Sequence, residues 1–269
     1  MKYCFRGHVM HPLLILFTFF GLCSCHINDN VDRKILVLLE NLAIRETHSS
    51  FFKMLKDRSY ELTYKFADDF SLNLMKFGEY AFKHLIIFAP SAREFGGKLD
   101  VKSIVRFIDE GGHVLVAGSP DIGEAIRELG SECGVEFDED KTYVIDHLNY
   151  DKKDDGKHTL VVVPPDNLAN LPIITGTNHS KPFLYRGVGL SVDVENPLLT
   201  DILHGSLTSY SYNPDKPIND YPNGVGINTV LIAALQARNN ARSVFIGSLE
   251  FFSDEFFSWN AENAYTGKM

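Results

Sequence analysis

From Lys34 onward, short apolar runs alternate with longer segments whose apolar residues recur at helical spacing. Residues 35–39 form the first run. A polar stretch follows, and then Phe51, Phe52, Met54 and Leu55 share one helical face, so a strand followed by a helix is predicted. The unit recurs. Residues 60–66 read as a second strand and 85–88 as a third, the latter near-continuously apolar, as expected of a strand covered on both faces. Val101, Ile104, Val105 and Ile108 fall at i, i+3, i+4 and i+7, the stripe of an amphipathic helix. Gly111 and Gly112 stop that helix where a left-handed residue is wanted. Residues 114–117 are then a fourth strand and 121–129 a further helix. Such alternation predicts an α/β fold built on a parallel, doubly wound sheet with helices on both faces.

After Gly134 the rhythm changes. The segment 151–158 (DKKDDGKH) is polar and turn-rich, and residues 160–163 form a strand ended by Pro164 and Pro165. Residues 229–236 and 243–246 flank Asn239 and Asn240, which tolerate the positive φ of a tight turn. A β-hairpin is the reading, although Ala233, Ala234 and Leu235 would also suit a helix. The expected organisation is a signal segment over 1–25, a parallel α/β domain over 26–134, and a strand-rich continuation over 135–269 that extends the first sheet.

The signal is read from the N-terminus, where Lys2 and Arg6 precede an apolar block from Leu13 to Leu22, with Cys23, Ser24 and Cys25 behind it. That is the basic, apolar, small-residue order of a secretory signal. The block is shorter than the ~20 residues of a membrane-spanning helix, so cleavage near Cys25 is expected rather than anchoring. Cleavage would leave Cys133 as the sole cysteine, which excludes a scaffold held by internal disulfides. It would also leave 24 basic against 35 acidic side chains, a formal charge of −11 against −9 for the whole chain. An acidic surface repels phosphate backbones and anionic head groups, so nucleic acid is not an expected partner. The last five residues, from Tyr265 to Met269, are not a KDEL-type retrieval signal.

In an open parallel sheet, ligands sit beyond the carboxyl ends of the strands, so the alternative readings are a lumenal hydrolase and a module that holds a glycan or peptide in that crevice. That edge would carry Glu40, His48, Ser91, Arg93, Ser119 and Asp121. A hydrolase reading takes Ser91 as nucleophile, His48 as base and Glu40 or Asp121 as orienter. Its weakness is local. A nucleophile elbow needs small residues on both sides of the serine, and here Ala89 and Arg93 stand in those places, with Pro90 between. Ser119, followed by Pro120, reads instead as a helix N-cap.

Gly96, Gly97 and Lys98 lack the first glycine and the hydroxyl residue of a phosphate-binding loop. The pairs Gly187-Val188-Gly189 and Gly224-Val225-Gly226 read as turns. Asp151, Asp154 and Asp155 miss the alternate spacing of a calcium loop, and His147 and His158 stand too far apart in sequence for a local metal site. No catalytic residue, cofactor or metal ligand is therefore assigned from the residues alone. Asn178-His179-Ser180 is an N-glycosylation acceptor.

Long blocks of sequence carry a resemblance. LVLLENLAIRETHSSFF from Leu36, FAPSAREFGG from Phe88 and IDEGGHVLVAGSPDIGEAIRELGSECGVEFDED from Ile108 are followed in order by NPLLTDILHGSLTSYSYNPDKPI from Asn196 and LQARNNARSVFIGSLEFFSDEFF from Leu235. From Lys34 to about Phe257 the chain resembles the Wbp-type (DDOST) subunit of oligosaccharyltransferase. The resemblance implies a non-catalytic subunit on the lumenal side of the endoplasmic reticulum membrane, supporting assembly and N-linked glycosylation. It implies as partners the multi-spanning catalytic subunit, the ribophorins and the small defender-against-cell-death subunit. It also implies a fold related to glutamine amidotransferases, without their nucleophile. After Phe257 the chain departs from the family, which continues to a C-terminal membrane helix. A truncated form is expected, meeting the membrane through the complex or through a C-terminal helix that is absent from this sequence.

Overall fold

The computed structural model describes residues 31–171, 175 and 181–267. The expected signal over 1–25 and the sequon asparagine Asn178 lie outside the described residues. The first half runs β1 (Lys34–Leu39), α1 (Ala43–Thr47), α2 (Ser49–Asp57), β2 (Glu61–Phe66), a small ribbon of β3 (Met75–Lys76) and β4 (Glu79–Tyr80), β5 (His84–Phe88), α3 (Val101–Asp109), β6 (His113–Ala117) and α4 (Glu124–Glu132). The second half adds β7 (Val135–Phe137), β8 (Tyr143–Ile145), β9 (Val161–Val163), β10 (Phe183–Tyr185), β11 (Leu190–Val192), β12 (Leu199–His204), β13 (Tyr210–Tyr212), β14 (Val230–Gln236), β15 (Arg242–Ile246) and α5 (Asp254–Ser258).

Nine strands form one sheet in the order β2-β1-β5-β6-β15-β14-β11-β7, with β12 also laid against β14. The run from β2 to β15 is parallel, and beyond β15 every pairing is antiparallel. The fold is therefore mixed α/β. The sheet is parallel where βαβ units wind it and antiparallel where hairpins and long returns complete it.

Strand alternation sends side chains to two cores. Val37, Leu39, Ile86, Phe88 and Leu115 meet Phe51, Phe52 and Leu55 of α2 on one face. Leu36, Leu38, Leu85, Ile87 and Val116 meet Ile104 and Phe107 of α3 and Ile126 and Leu129 of α4 on the other. Each fully buried side chain of this kind contributes roughly 1.5–3 kcal/mol. This is why β1 and β5 read as unbroken apolar runs. Helix α3 starts at a capping box between Asp100 and Ser103, and Gly111, at φ +96°, turns the chain into β6.

The predicted hairpin forms as β14 and β15, from Ile232 opposite Ile246 to Gln236 opposite Arg242, with Asn240 at φ +66° in the turn. The helical alternative for 233–235 is excluded. β15 then pairs in parallel with β6, so the second half does extend the first sheet.

Two local expectations fail. The helix expected at 121–129 begins at Glu124, because Gly123 is its extended N-cap and its amide donates to Pro90 O at 2.8 Å. Ser119 caps no helix, since its hydroxyl donates to Asp121 O at 2.8 Å within the preceding turn. Helix α1 lies in a stretch read only as polar, where Ile44 alone is buried.

Candidate functional site

The carboxyl edge of the parallel strands was the expected site. Glu40 follows β1 and Ser91 follows β5, and the Ser91 hydroxyl donates to Glu40 Oε1 at 2.7 Å. His48 stands at the junction of α1 and α2, 5% exposed, with its ring 5.7 Å from that of Phe88. Its Nδ1 lies 2.9 Å from Thr47 Oγ1 and its Nε2 lies 3.1 Å from Leu249 O. Burial holds its pKa below the usual imidazole value. A serine nucleophile needs a base to take its proton. Here the proton of Ser91 goes to a carboxylate and both nitrogens of His48 are engaged elsewhere. The hydrolase reading is not favoured. The Asp121 backbone closes a turn with Ser119, accepting from its hydroxyl at 2.8 Å.

The glycines of the loop after β5 serve packing. Gly96 N donates to Ala67 O and Lys98 N to Leu72 O, and a Cβ at Gly96 would stand 2.5 Å from the Asp68 carbonyl. No room for a phosphate remains between those backbones. Cys133 is buried and its thiol is pushed up to about 12 by desolvation, which makes it inert.

The polar segment 151–158 is a folded anchor. Asp154 accepts the amides of Gly156, His158, Thr159 and Leu160 at 2.9, 2.6, 3.0 and 2.8 Å. Asp151, 1% exposed, accepts the Lys153 and Glu262 amides and the Trp259 indole N–H. Fully buried Asp146 takes the Leu148 and Asn149 amides and the Thr208 hydroxyl.

This folding brings together two residues that sequence distance separates. His147 Nδ1 and His158 Nδ1 are 2.5 Å apart, His147 Nε2 is 2.8 Å from the Tyr210 hydroxyl, and His158 stacks on Tyr150 at 4.0 Å. The expectation that they stand apart is corrected. Asp154 folds the intervening loop back, so that Asp146 N reaches His158 O. Among the described residues no group of three or more His, Cys, Asp or Glu is placed to hold a metal ion.

A different concavity was missed. At the antiparallel end, a cleft of about 240 Å3 opens between β7, β11 and β13. Arg127, Phe137, Asp138, Ser211, Asn223 and Thr229 line it. Arg127 donates to Phe137 O at 3.0 Å and to Asp140 Oδ1 at 2.5 Å, and Asn223 Nδ2 donates to Asp138 Oδ1 at 2.7 Å. Gly189 and Gly224, one from each GxG pair read as a turn, stand on its walls. The sequence signal was present in those glycines, but nothing in the sequence joined the two pairs.

Fold and site thus define a mixed α/β domain whose serine and histidine are held away from any shared chemistry. Residues 27–268 match the family model described as OST48, N-terminal domain. The chain belongs to the OST48 family. It is 59% identical over 236 residues to the 48 kDa subunit of dolichyl-diphosphooligosaccharide–protein glycosyltransferase from Danio rerio, covering 88% of this chain and 54% of that protein. It is 52% identical over 257 residues to the corresponding subunit from Drosophila melanogaster, covering 94% of this chain and 57% of that one. The chain spans about half the length of the curated relatives it matches. Among solved structures, a ThuA-like protein from Parabacteroides merdae overlaps 79% of this chain and 77% of its own at a TM-score of 0.40 and 11% identity, too slight a likeness to bear on fold or activity.

Proposed function

We propose that this chain acts as a non-catalytic lumenal subunit of oligosaccharyltransferase, supporting N-linked glycosylation in the endoplasmic reticulum. Membership of the OST48 family carries the reading. The hydrogen bonds that commit Ser91 to Glu40 and His48 to Leu249 support a scaffold over a hydrolase. Among the described residues no helix is long and apolar enough to cross a membrane, so attachment through partner subunits suits this region. The multi-spanning catalytic subunit, the ribophorins and the small defender-against-cell-death subunit are the partners proposed, with glycosyl transfer residing in the first. Units over 26–134 and 135–269, a glutamine-amidotransferase-like parallel half and a glycan on Asn178 complete the proposal.

Affinity capture of the tagged chain from detergent-solubilised microsomes tests it. Recovery of the catalytic subunit and the ribophorins is expected, and depletion of the native protein should leave reporter glycoproteins underglycosylated. Recovery of the chain alone, with glycosylation unchanged on depletion, overturns the reading. A mobility shift on glycosidase treatment that disappears in Asn178→Gln tests the sequon.

A further inference from the structure

We infer that β2 is a docking edge for an extended, carboxylate-bearing segment of another protein, which joins the sheet as an added strand on the side of β2 away from β1. The open edge carries the first half of the inference. β2 is the outermost strand, paired with β1 alone, and its register runs unbroken from Lys34 opposite Glu61 to Leu39 opposite Phe66. The amides of Glu61 and Ala67 donate inward, to Arg33 O and Leu39 O. The odd-numbered residues between them therefore bond to β1, and the amides and carbonyls of Leu62 and Tyr64 point away from it. No loop amide or carbonyl among the described residues covers them.

The other borders of the sheet are blunted. β7 has three residues, and the ladder of β12 with β14 shifts register between Asp201 and Leu203 and again at His204. β2 has six residues, no proline and no bulge, and its one lysine, Lys65, is tied to Asp69 at 2.9 Å. Natural sheets protect long edges with those devices, so an edge without them is fit for pairing with another chain.

Charge selects the guest. Strand alternation puts Leu62, Tyr64 and Phe66 on the face that packs toward α2, where β2 itself presents no charged side chain. On that face the Arg45 guanidinium of α1 lies 4.8 Å from the centre of the Tyr64 ring, and the Lys56 ammonium of α2 lies 6.0 Å from it. Both side chains are exposed, and neither forms an ion pair among the described residues. Two uncompensated cations are a local exception on a chain of net charge −9. An added strand would place one of its side chains about 5 Å from Tyr64 on that face, Cβ to Cβ. A carboxylate there completes the pair that Arg45 and Lys56 lack. Phe66, 40% exposed, gives the same segment an apolar contact. A second copy of this chain is a poor occupant, because two such edges would bring the same cations together.

The purified full chain should be titrated to about 1 mM with fluorescent, capped heptapeptides of alternating glutamate and valine, and with their lysine counterparts. Binding is read by anisotropy and by amide hydrogen exchange. The glutamate peptide is expected to bind and to slow exchange at Leu62 and Tyr64, with the lysine peptide about tenfold weaker. Arg45→Glu combined with Lys56→Glu should reverse that preference and leave the unfolding temperature little changed, since both positions are exposed. Leu62→Pro removes one outward amide and no bond to β1, and should weaken the glutamate peptide about tenfold; the charge variant decides if this one does not fold. The inference is overturned if the glutamate peptide does not bind, if it binds without protecting Leu62 and Tyr64, or if the doubly reversed chain still prefers it. A dimer on sedimentation in which the Leu62 and Tyr64 amides are protected assigns the edge to a second copy and overturns it too. These readouts are independent of whether the chain enters oligosaccharyltransferase.

Discussion

The two ends of the sheet are held by different means. In β1, β5 and β6 nearly every residue is buried, and the contacts are apolar side chains facing α2 on one side and α3 and α4 on the other. In the second half β7, β8, β9, β10, β11 and β13 have three residues each, and the loop from β8 to β9 is fixed by carboxylates that gather backbone amides: Asp146, Asp151 and Asp154. The backbones also approach closely there. A Cβ on Gly247 would overlap Val188 O and the Tyr185 hydroxyl, which itself donates to Val188 O at 2.6 Å. Apolar packing is non-directional and tolerates exchange of one hydrocarbon for another, whereas a carboxylate with several amides on it tolerates almost nothing.

The largest single loss should come from the parallel end. Phe51 packs against Phe52, Phe88 and Phe252 with ring centroids 5.4, 5.3 and 4.9 Å away, and Phe51→Ala should cost about 4 kcal/mol in urea unfolding, while Phe51→Leu should cost far less. In the β8–β9 loop of the second half, Asp154→Ala strips four amides of their acceptor and should cost about 2–3 kcal/mol. Here the conservative Asp154→Asn should recover only part of the loss. If Asn restored it fully, the contrast between the two ends would collapse.

The imidazoles sharpen the same contrast by pH. Burial pushes His84 down to about 3 and His113 to about 4, and His48 is lowered as well. These groups are neutral in the fold, while the unfolded chain takes up protons below about pH 6.5. Their contribution is therefore complete above about 6.5 and is lost as pH falls toward 4 and then 3. Asp201, raised by desolvation to about 6, acts in the opposite sense: its contribution is full below about 4 and is lost as pH rises through 6. The net expectation is a loss of about 2–3 kcal/mol between pH 7 and 5, read from unfolding temperatures across that range. Asp201→Asn should steepen the loss by removing the opposing group, and a flat profile in that variant would contradict the burial of His84 and His113.

The smallest effect concerns the contact between the chain's last helix and its first turns. Asp254, in α5, accepts the Ser49 and Ser50 amides and the Ser49 hydroxyl at 3.1, 2.7 and 2.7 Å, and so caps α2 from far away in sequence. Asp254→Ala should cost about 1 kcal/mol, seen first as faster amide exchange at Ser49 and Ser50.

What was legible in the sequence follows the same division. Burial on both faces writes itself as unbroken apolar runs, so β1, β5 and β6 could be read directly, and the stripe of α3 gave its face. The β14–β15 hairpin was legible because Asn239 and Asn240 announce its turn. Polar residues announce no partner. Asp154 looks like any turn aspartate until the loop closes on it, and His147 and His158 meet only because it does. Helix α4 was placed three residues early because Ser119 and Pro120 look like a helix start, while the contact that decides the start, Gly123 against Pro90 O, belongs to another loop. The cleft depends on glycines from two distant segments that meet only in the folded chain.

The position of β15 has a consequence for how the molecule is made. Among the described residues β15 is the last strand in sequence, yet it sits in the interior of the sheet, with Ser243 beside Val114 of β6 on one side and Ile246 across from Ile232 of β14 on the other. A chain emerging from its N-terminus completes β6 long before the strand that covers it exists. Until residues 242–246 are made, β6 would present an open, apolar edge, the kind of surface that recruits chaperones or pairs with the wrong neighbour. The sheet therefore closes late and at once, when residues 242–246 slot between two halves already formed, and long-range closure of this kind sets a slow folding step.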